Sequence, residues 1–289
     1  MKDQKQINRW ITEAVQGSKD ALEKIVSHIQ QPVYSLSLRM LLNRQDAEDT
    51  GQEIIIRVIT NLQSYRFEGP FRAWVLRIAA NKLMTVRKTL AEKRMASIED
   101  LDGIMDRYDA RGWLSKPLEA PEPYLEAETR SICTHALLSA LNRPQRIAFI
   151  LGVVIGVDSV EGGQILDISP AAYRKRLSRA RTRIKTFLAK QCSILDDSNR
   201  CSCACILPVY LQKGWIHPDK PMFVNARDEE AEPARLGEYM QEMDELSQLT
   251  VLYRAASPPS PDFVAMLKKI YADQHYRILT DPQHGDRYS

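Results

Sequence analysis

The chain is 289 residues long, 44% hydrophobic and 27% charged, with a formal net charge of +3, a composition that excludes a disordered polyelectrolyte and leaves room for two or three domains. The longest apolar run, Ile147–Val157, falls well short of the roughly 20 residues a membrane-spanning helix needs. Met1–Gln6 is too polar to open a signal peptide, so a cytoplasmic protein without membrane attachment is expected.

Helical periodicity dominates from end to end, with no sustained alternation of apolar and polar residues, and an all-α fold is expected. The first block, Ile7 to about Arg94, reads as four or five helices, broken at Gly17-Ser18, at Asn43–Asp46 and by the loop Ser64–Pro70. The helix from Asp46 opens on Asp46, Glu48 and Asp49, which suit the positive end of a helix dipole, and buries Ile55, Val58, Ile59 and Leu62. Glu48, Gln52 and Glu53 project elsewhere, which periodicity alone reads as a solvated face. In the helix from Phe71, Trp74, Arg77, Asn81, Thr85 and Lys88 share one narrow face, while Phe71, Val75, Ile78, Ala79 and Val86 face a core. An aromatic ring, an amide and cations in one line can hold phosphates and stack on unpaired bases; the plainer reading is a core-edge Trp with solvated cations. Lys82 points towards the apolar side and has to snorkel.

A linker follows from about Ala96 to Pro123, acidic and broken by Gly103, Gly112 and Pro117, and reads as a solvated tether. The second helical block runs from Tyr124 to Lys190. Within it Asp167-Ile-Ser-Pro170 has the grammar of a turn into a helix, with Ser169 as N-cap and Pro170 at the first helical position. Tyr173, Leu177, Ala180, Ile184 and Leu188 then make an apolar stripe. Arg174, Lys175, Arg176, Arg179, Arg181 and Arg183 fill the other faces. With a short helix near Ser159–Leu166 this is a helix-turn-helix whose basic second helix suits a major groove. Four of the five cysteines crowd into Cys192, Cys201, Cys203 and Cys205, and two amphipathic helices are expected near Ala234–Ala255 and Pro261–Tyr276, packed as a hairpin.

Three stretches in order, Asp46-Ala-Glu-Asp-x-x-Gln-Glu53, Ser64-Tyr-Arg-Phe-Glu-Gly69 and Phe71-Arg-Ala-Trp-Val-Leu-Arg-Ile-Ala-Ala-Asn81, resemble region 2 of extracytoplasmic-function (ECF) sigma factors. Ala140-Leu-Asn-Arg-Pro-Gln-Arg146, Asp167-Ile-Ser-Pro170 and Arg174-x-x-Leu-x-Arg-Ala-Arg181 resemble region 4 of the same group. Together the resemblances span about Ser18–Ala189. They imply two sigma domains, residues 1–95 and 124–190, joined by a linker at 96–123 and followed by an extension at 191–289. They imply that Asp46, Glu48, Asp49, Gln52 and Glu53 dock on the clamp helices of core RNA polymerase. Tyr65, Arg66, Phe67, Trp74, Arg77, Asn81 and Lys88 would capture and melt the promoter −10 element; Ser169, Arg174, Lys175, Arg176, Arg179 and Arg181 would read the −35 element. Three positions depart from the pattern: Gly51 in the docking helix, Gly162-Gly163 before the turn, and Asp167 in place of the turn glycine. The glycines are expected to soften their helices, whereas Asp tolerates a left-handed backbone.

The extension resembles, over a shorter stretch, the Cys-bearing tails of some members of this group. In an extended chain the alternation Cys201-Ser-Cys203-Ala-Cys205 would turn three sulfurs to one side, and with Cys192 they could complete a thiolate site for zinc or copper(I), His217 standing in for one sulfur. A redox switch and an incidental thiol cluster are the alternatives. The expected function is thus a sigma factor that brings core polymerase to promoters, controlled by a separate anti-sigma factor or by its own extension. A helix-turn-helix regulator acting without polymerase and a metal-binding sensor are the competing classes. An enzyme is not expected, since there is no Gly-rich phosphate loop, nucleophile elbow or paired His and carboxylate motif.

Overall fold

The computed structural model describes residues 4–87, 97–115, 117–118, 122–224, 245–254 and 258–272. Among these, every element is helical: α1 Gln4–Val15, α2 Lys19–Leu41, α3 Arg44–Thr60, α4 Phe71–Thr85, α5 Ile98–Ala110, α6 Pro123–Ser139, α7 Arg143–Phe149, α8 Ser159–Leu166, α9 Pro170–Gln191, α10 Cys203–Gln212, α11 Glu245–Arg254 and α12 Phe263–Ala272. The all-α expectation is met. No described helix is long and apolar enough to cross a membrane.

The chain forms two compact units. The first takes in Met1–Arg87, Gly163–Ile168 and Pro259–Ser289; the second takes in Lys88–Gly162 and Ser169–Pro258. Helix α8 straddles the division.

In the first unit, the starts of α2 and α3 are fixed by side-chain caps. Ser18 Oγ accepts from the Ala21 N–H (3.3 Å) and Asn43 Oδ1 from that of Asp46 (2.9 Å). Leu42, with φ 60°, turns the chain between them in a left-handed cap whose N–H reaches Leu38 O. The core is made where Ile25, Val26, Ile29 and Val33 of α2 meet Ile54, Ile55 and Val58 of α3 and Phe71, Val75, Ala79 and Leu83 of α4. Trp10 and Ile11 of α1 are buried with them. Lys82 does not simply snorkel: its ammonium pairs with the Glu53 carboxylate of α3.

In the second unit Arg146 is buried. Its Nε donates to Leu138 O (2.8 Å) and its Nη2 to Ser139 O (2.8 Å) and Leu141 O (3.1 Å). Those carbonyls lie at and just beyond the end of α6, where helical partners run out. Beyond α7 the helix widens to π geometry over Ile150–Ile155. At the turn, Asp167 takes φ 52° and Ser169 Oγ accepts from the Ala172 N–H, as the sequence leads one to expect. Gly162 does not soften the packing. A Cβ there would lie 2.4 Å from Tyr173 Cζ, so the missing side chain is the space the Tyr173 ring occupies.

The acidic stretch is more than a tether. Ser97 and Asp100 form a capping box that starts α5, with Ile98 buried and Leu101, Met105 and Tyr108 half-buried. Its acids face the end of basic α9: Glu99 pairs with Arg183 at 2.8 Å, and Asp102 accepts from Gln191 at 2.6 Å and pairs with Lys190. Arg200, further on, reaches Asp109 at 3.0 Å.

The extension is likewise built into this unit. Ile206, Leu207, Val209 and Tyr210 of α10 join Leu114, Leu125 and Ile216 in one apolar cluster. Glu128 of α6 is buried and accepts the N–H groups of Met222, Phe223 and Val224 at 2.6, 2.9 and 3.0 Å. Burial pushes its carboxyl up, against the pull of those three hydrogen bonds.

The expected C-terminal hairpin is corrected. Helix α11 packs in the second unit, where the Tyr253 ring meets Phe149 edge-on at 4.9 Å, whereas α12 belongs to the first. Pro258, Pro259 and Pro261 lie between them and favour extended backbone over a tight return. Residues 234–244, 255 and 273–276 of the two expected helices lie outside the described residues.

Candidate functional site

On α3 the expected docking residues divide. Asp49 and Glu53 are exposed, whereas Asp46, Glu48 and Gln52 are half-buried. Glu48 is held by Arg44 at 3.0 Å and Glu53 by Lys82, so two of the acids are braced. Gly51 sits among them on the buried side.

The loop before α4 is organised by aromatic packing. Tyr65 is buried; its ring lies 4.9 Å from Phe67, 5.3 Å from Phe71 and 5.5 Å from Trp74, and its hydroxyl donates to Gly69 O. Tyr65 therefore shapes the loop from beneath rather than presenting itself at the surface. Phe67 is the ring that stands out, 48% exposed and on a residue with φ 59°. A left-handed backbone is uncommon for a bulky residue and marks a conformation the surroundings impose.

Behind the loop, Trp74 is half-buried and stacks on Phe71 at 5.7 Å, while Arg77 and Asn81 are exposed. These three line an open groove with Arg57, Asn61, Ser64 and Ile78. Arg57 and Asn61 are the residues that sequence reasoning missed. They lie at the end of α3, and only the packing of α3 beside α4 sets them beside Trp74. Asn61 Nδ2 donates to Arg57 O at 2.8 Å, which fixes that end of the helix. The groove offers an aromatic face, two amides and two guanidinium groups, the equipment that holds an unstacked nucleotide strand. Arg66 is exposed beside it. Lys88 lies outside the described residues.

In the second unit α9 carries the basic face. Arg174, Lys175 and Arg179 are exposed, and Arg174 Nη1 donates to Ser159 Oγ at 3.2 Å, tying the two helices of the motif. Ser169 is committed to its cap. Arg176 is half-buried. Arg181 is also half-buried: burial lowers its pKa and its Nε has no hydrogen-bond partner among the described residues, so it is poorly placed as a free surface cation. Arg183 is occupied by Glu99 and by Gln145 at 3.2 Å. The free positive charge thus lies towards the first turns of α9.

The cysteines do not form the expected metal site. The chain is not extended through Cys201–Cys205. It enters α10 at Cys203, so Cys203 and Cys205 point about 200° apart around the helix. Cys192 and Cys201 lie side by side on an isolated backbone bridge, with the Ser193 N–H donating to Cys201 O at 3.1 Å. Cys133 of α6, unremarked in the sequence, joins them, its Sγ 3.1 Å from the Tyr210 hydroxyl. Burial raises the Cys133, Cys192, Cys201 and Cys203 thiols, and neighbouring cysteines add to the rise at Cys133, Cys201 and Cys203. His217 is exposed. Among the described residues no group of three or more His, Cys, Asp or Glu is placed to hold a metal ion.

Residues 25–90 match the family model described as Sigma-70 region 2. The chain is 29% identical over 181 residues to the ECF RNA polymerase sigma factor SigE of Mycolicibacterium smegmatis, a match covering 62% of this chain and 65% of that protein. It is 27% identical over 183 residues to the ECF RNA polymerase sigma factor SigW of Bacillus subtilis, covering 62% of this chain and 95% of that one. It is 29% identical over 192 residues to the ECF RNA polymerase sigma factor ShbA of Streptomyces griseus, covering 64% and 96%.

Proposed function

The chain belongs to the ECF sigma factors, and on that premise we propose that it brings core RNA polymerase to promoters by dividing the work between its two units. Helix α3 docks on the polymerase clamp helices through Asp49, Glu53 and the edge formed by Asp46, Glu48 and Gln52. The groove of Trp74, Arg77 and Asn81, extended by Arg57 and Asn61, takes the −10 strand as it unstacks, with Phe67 and Arg66 at its mouth. The first turns of α9 enter the −35 major groove, with Lys175 and Arg179 on bases and phosphates and Arg174 bracing α8. The role is recognition rather than catalysis, and it is exercised in the cytoplasm, where polymerase and promoter DNA are found.

The observation that carries this reading is the groove: a ring, two amides and two guanidinium groups on one open face have no packing role in common. Stacking on such a ring contributes about 1–3 kcal/mol per base. The test is promoter opening by Trp74→Ala and Arg57→Ala variants with core polymerase, followed with permanganate, alongside their thermal melts. Both are expected to fold, to form the closed complex and to lose most of the open one. Normal opening by folded variants would remove the groove from the mechanism.

A further inference from the structure

Helix α12 lies on the face of the first unit that carries the docking helix. Phe263 is fully buried, with its ring edge-on to Tyr34 of α2 at 6.5 Å. The same ring covers Gly51 of α3: a Cβ at that position would stand 3.1 Å from Phe263 Cζ and 3.6 Å from Cε2. Three further contacts align α12 with α2. The Ser260 N–H donates to Gln31 Oε1 at 2.7 Å, Lys268 pairs with Glu23 at 3.1 Å, and the Lys19 ammonium stands 5.2 Å from the centre of the Tyr271 ring. Leu267 of α12 is buried as well.

Two features separate this contact from ordinary core packing. Its polar anchors on α2 are Lys19, Glu23 and Gln31, residues at or near the surface that water can serve once α12 leaves. The apolar part is centred on two buried side chains, Phe263 against Tyr34 and Leu267. A helix of 10 residues is also too short to persist alone, so α12 is helical only while docked. Exposed ion pairs contribute little, which places this helix at the low end of local stability. Its position matters in turn. Gly51 is one turn from Glu48, about 60° away around α3, and next to Gln52, about 100° away. Burial raises the pKa of the Tyr34 hydroxyl, with smaller opposed contributions from Arg44 and Glu48, so the ring that meets Phe263 belongs to a residue near the start of α3.

We propose that the α2–α3 face with its notch at Gly51 is a docking surface for this chain's own α12, and that α12 and core polymerase compete for it. The inference rests on the reading of α3 as the polymerase-docking helix. Binding of core is then weakened by the fraction of time the face is covered. Gly51 becomes intelligible on the same terms: a larger residue would fill the notch that receives Phe263.

The test compares the full chain with Phe263→Asp and Lys268→Glu variants in titrations against labelled core polymerase, with amide exchange of residues 19–34 and 263–272 measured on the same samples. Phe263→Asp is expected to release α12, seen as faster exchange in both segments, and to bind core about ten-fold more tightly. Lys268→Glu, which only sets like charges together on the surface, shifts both readouts in the same direction by less. A synthetic peptide of residues 258–272 added in trans restores the weaker binding, and its Phe263→Asp form does not. Equal or weaker core binding by a variant whose α12 is released overturns the competition while leaving the sigma reading in place. Failure of every protein, wild type included, to bind core overturns both.

Discussion

Two glycines and two aromatic rings explain most of what is unusual in this chain at the residue scale. Gly162 makes room for Tyr173 and Gly51 for Phe263. Gly152 does the same for Leu177, whose Cδ2 would lie 2.6 Å from an added Cβ. The departures at Gly51 and Gly162 are legible in the sequence, but their reason is not, because each partner ring arrives from another helix. Helix propensity alone says that Gly162→Ala gains about 1 kcal/mol. Overpacking costs about 1–3 kcal/mol, and a 2.4 Å approach to a rigid ring allows little escape, so the clash wins. Gly162→Ala is therefore expected to lower the stability of the chain by up to about 2 kcal/mol in urea unfolding, and Tyr173→Leu to recover part of the loss. A neutral or stabilising Gly162→Ala would mean that Tyr173 moves aside freely.

At the scale of elements, the helix announced by a cap and a periodic stripe stands where the sequence puts it: Ser169 opens α9, and the stripe from Tyr173 to Leu188 is buried throughout, while α3 begins at Arg44 behind the Asn43 cap, two residues before the Asp46 from which the sequence reads it. The elements that escaped are those whose signals compete. Helix α5 carries a capping box and apolar spacing, but its acids, Gly103 and nearby prolines read more strongly as a tether. It is helical because Ile98 is buried and Met105 and Tyr108 pack against the apolar cluster of α10, with α9 adding complementary charge. The Glu99 carboxyl is held below its usual range by its own backbone N–H and by Arg183, and that of Asp102 by Lys190 and Gln191 against some burial. A depressed carboxyl contributes stability that is present above its unfolded value, about 4, and lost as pH falls through the folded value. The thermal advantage of the wild type over a Glu99→Gln/Asp102→Asn variant is accordingly small at pH 7, smaller in high salt, and lost progressively as pH falls below about 4. An advantage independent of both pH and salt would assign the contact to packing alone. The cysteine stretch escaped for a related reason: alternation predicts convergent sulfurs only in an extended chain, and the apolar run that follows Cys205 draws it into α10 instead.

At the scale of the whole molecule, the sequence suggests cuts at 95, 123 and 190, whereas the contacts place α5, α6, α7, α9, α10 and α11 in one unit and α12 in the first. The extension is thus a set of structural parts of both units, which no motif short of the packing could reveal. The central claim is that this assembly makes core polymerase start transcription at chosen promoters. The measurement that bears on it most directly is run-off transcription from genomic fragments by core polymerase with the full chain in excess, with the transcript starts sequenced. The account predicts starts preceded by shared −10 and −35 elements, lost with Gln52→Ala/Glu53→Lys and with the −35 preference flattened by Lys175→Ala/Arg179→Ala. Transcription no different from that of core polymerase alone would contradict it.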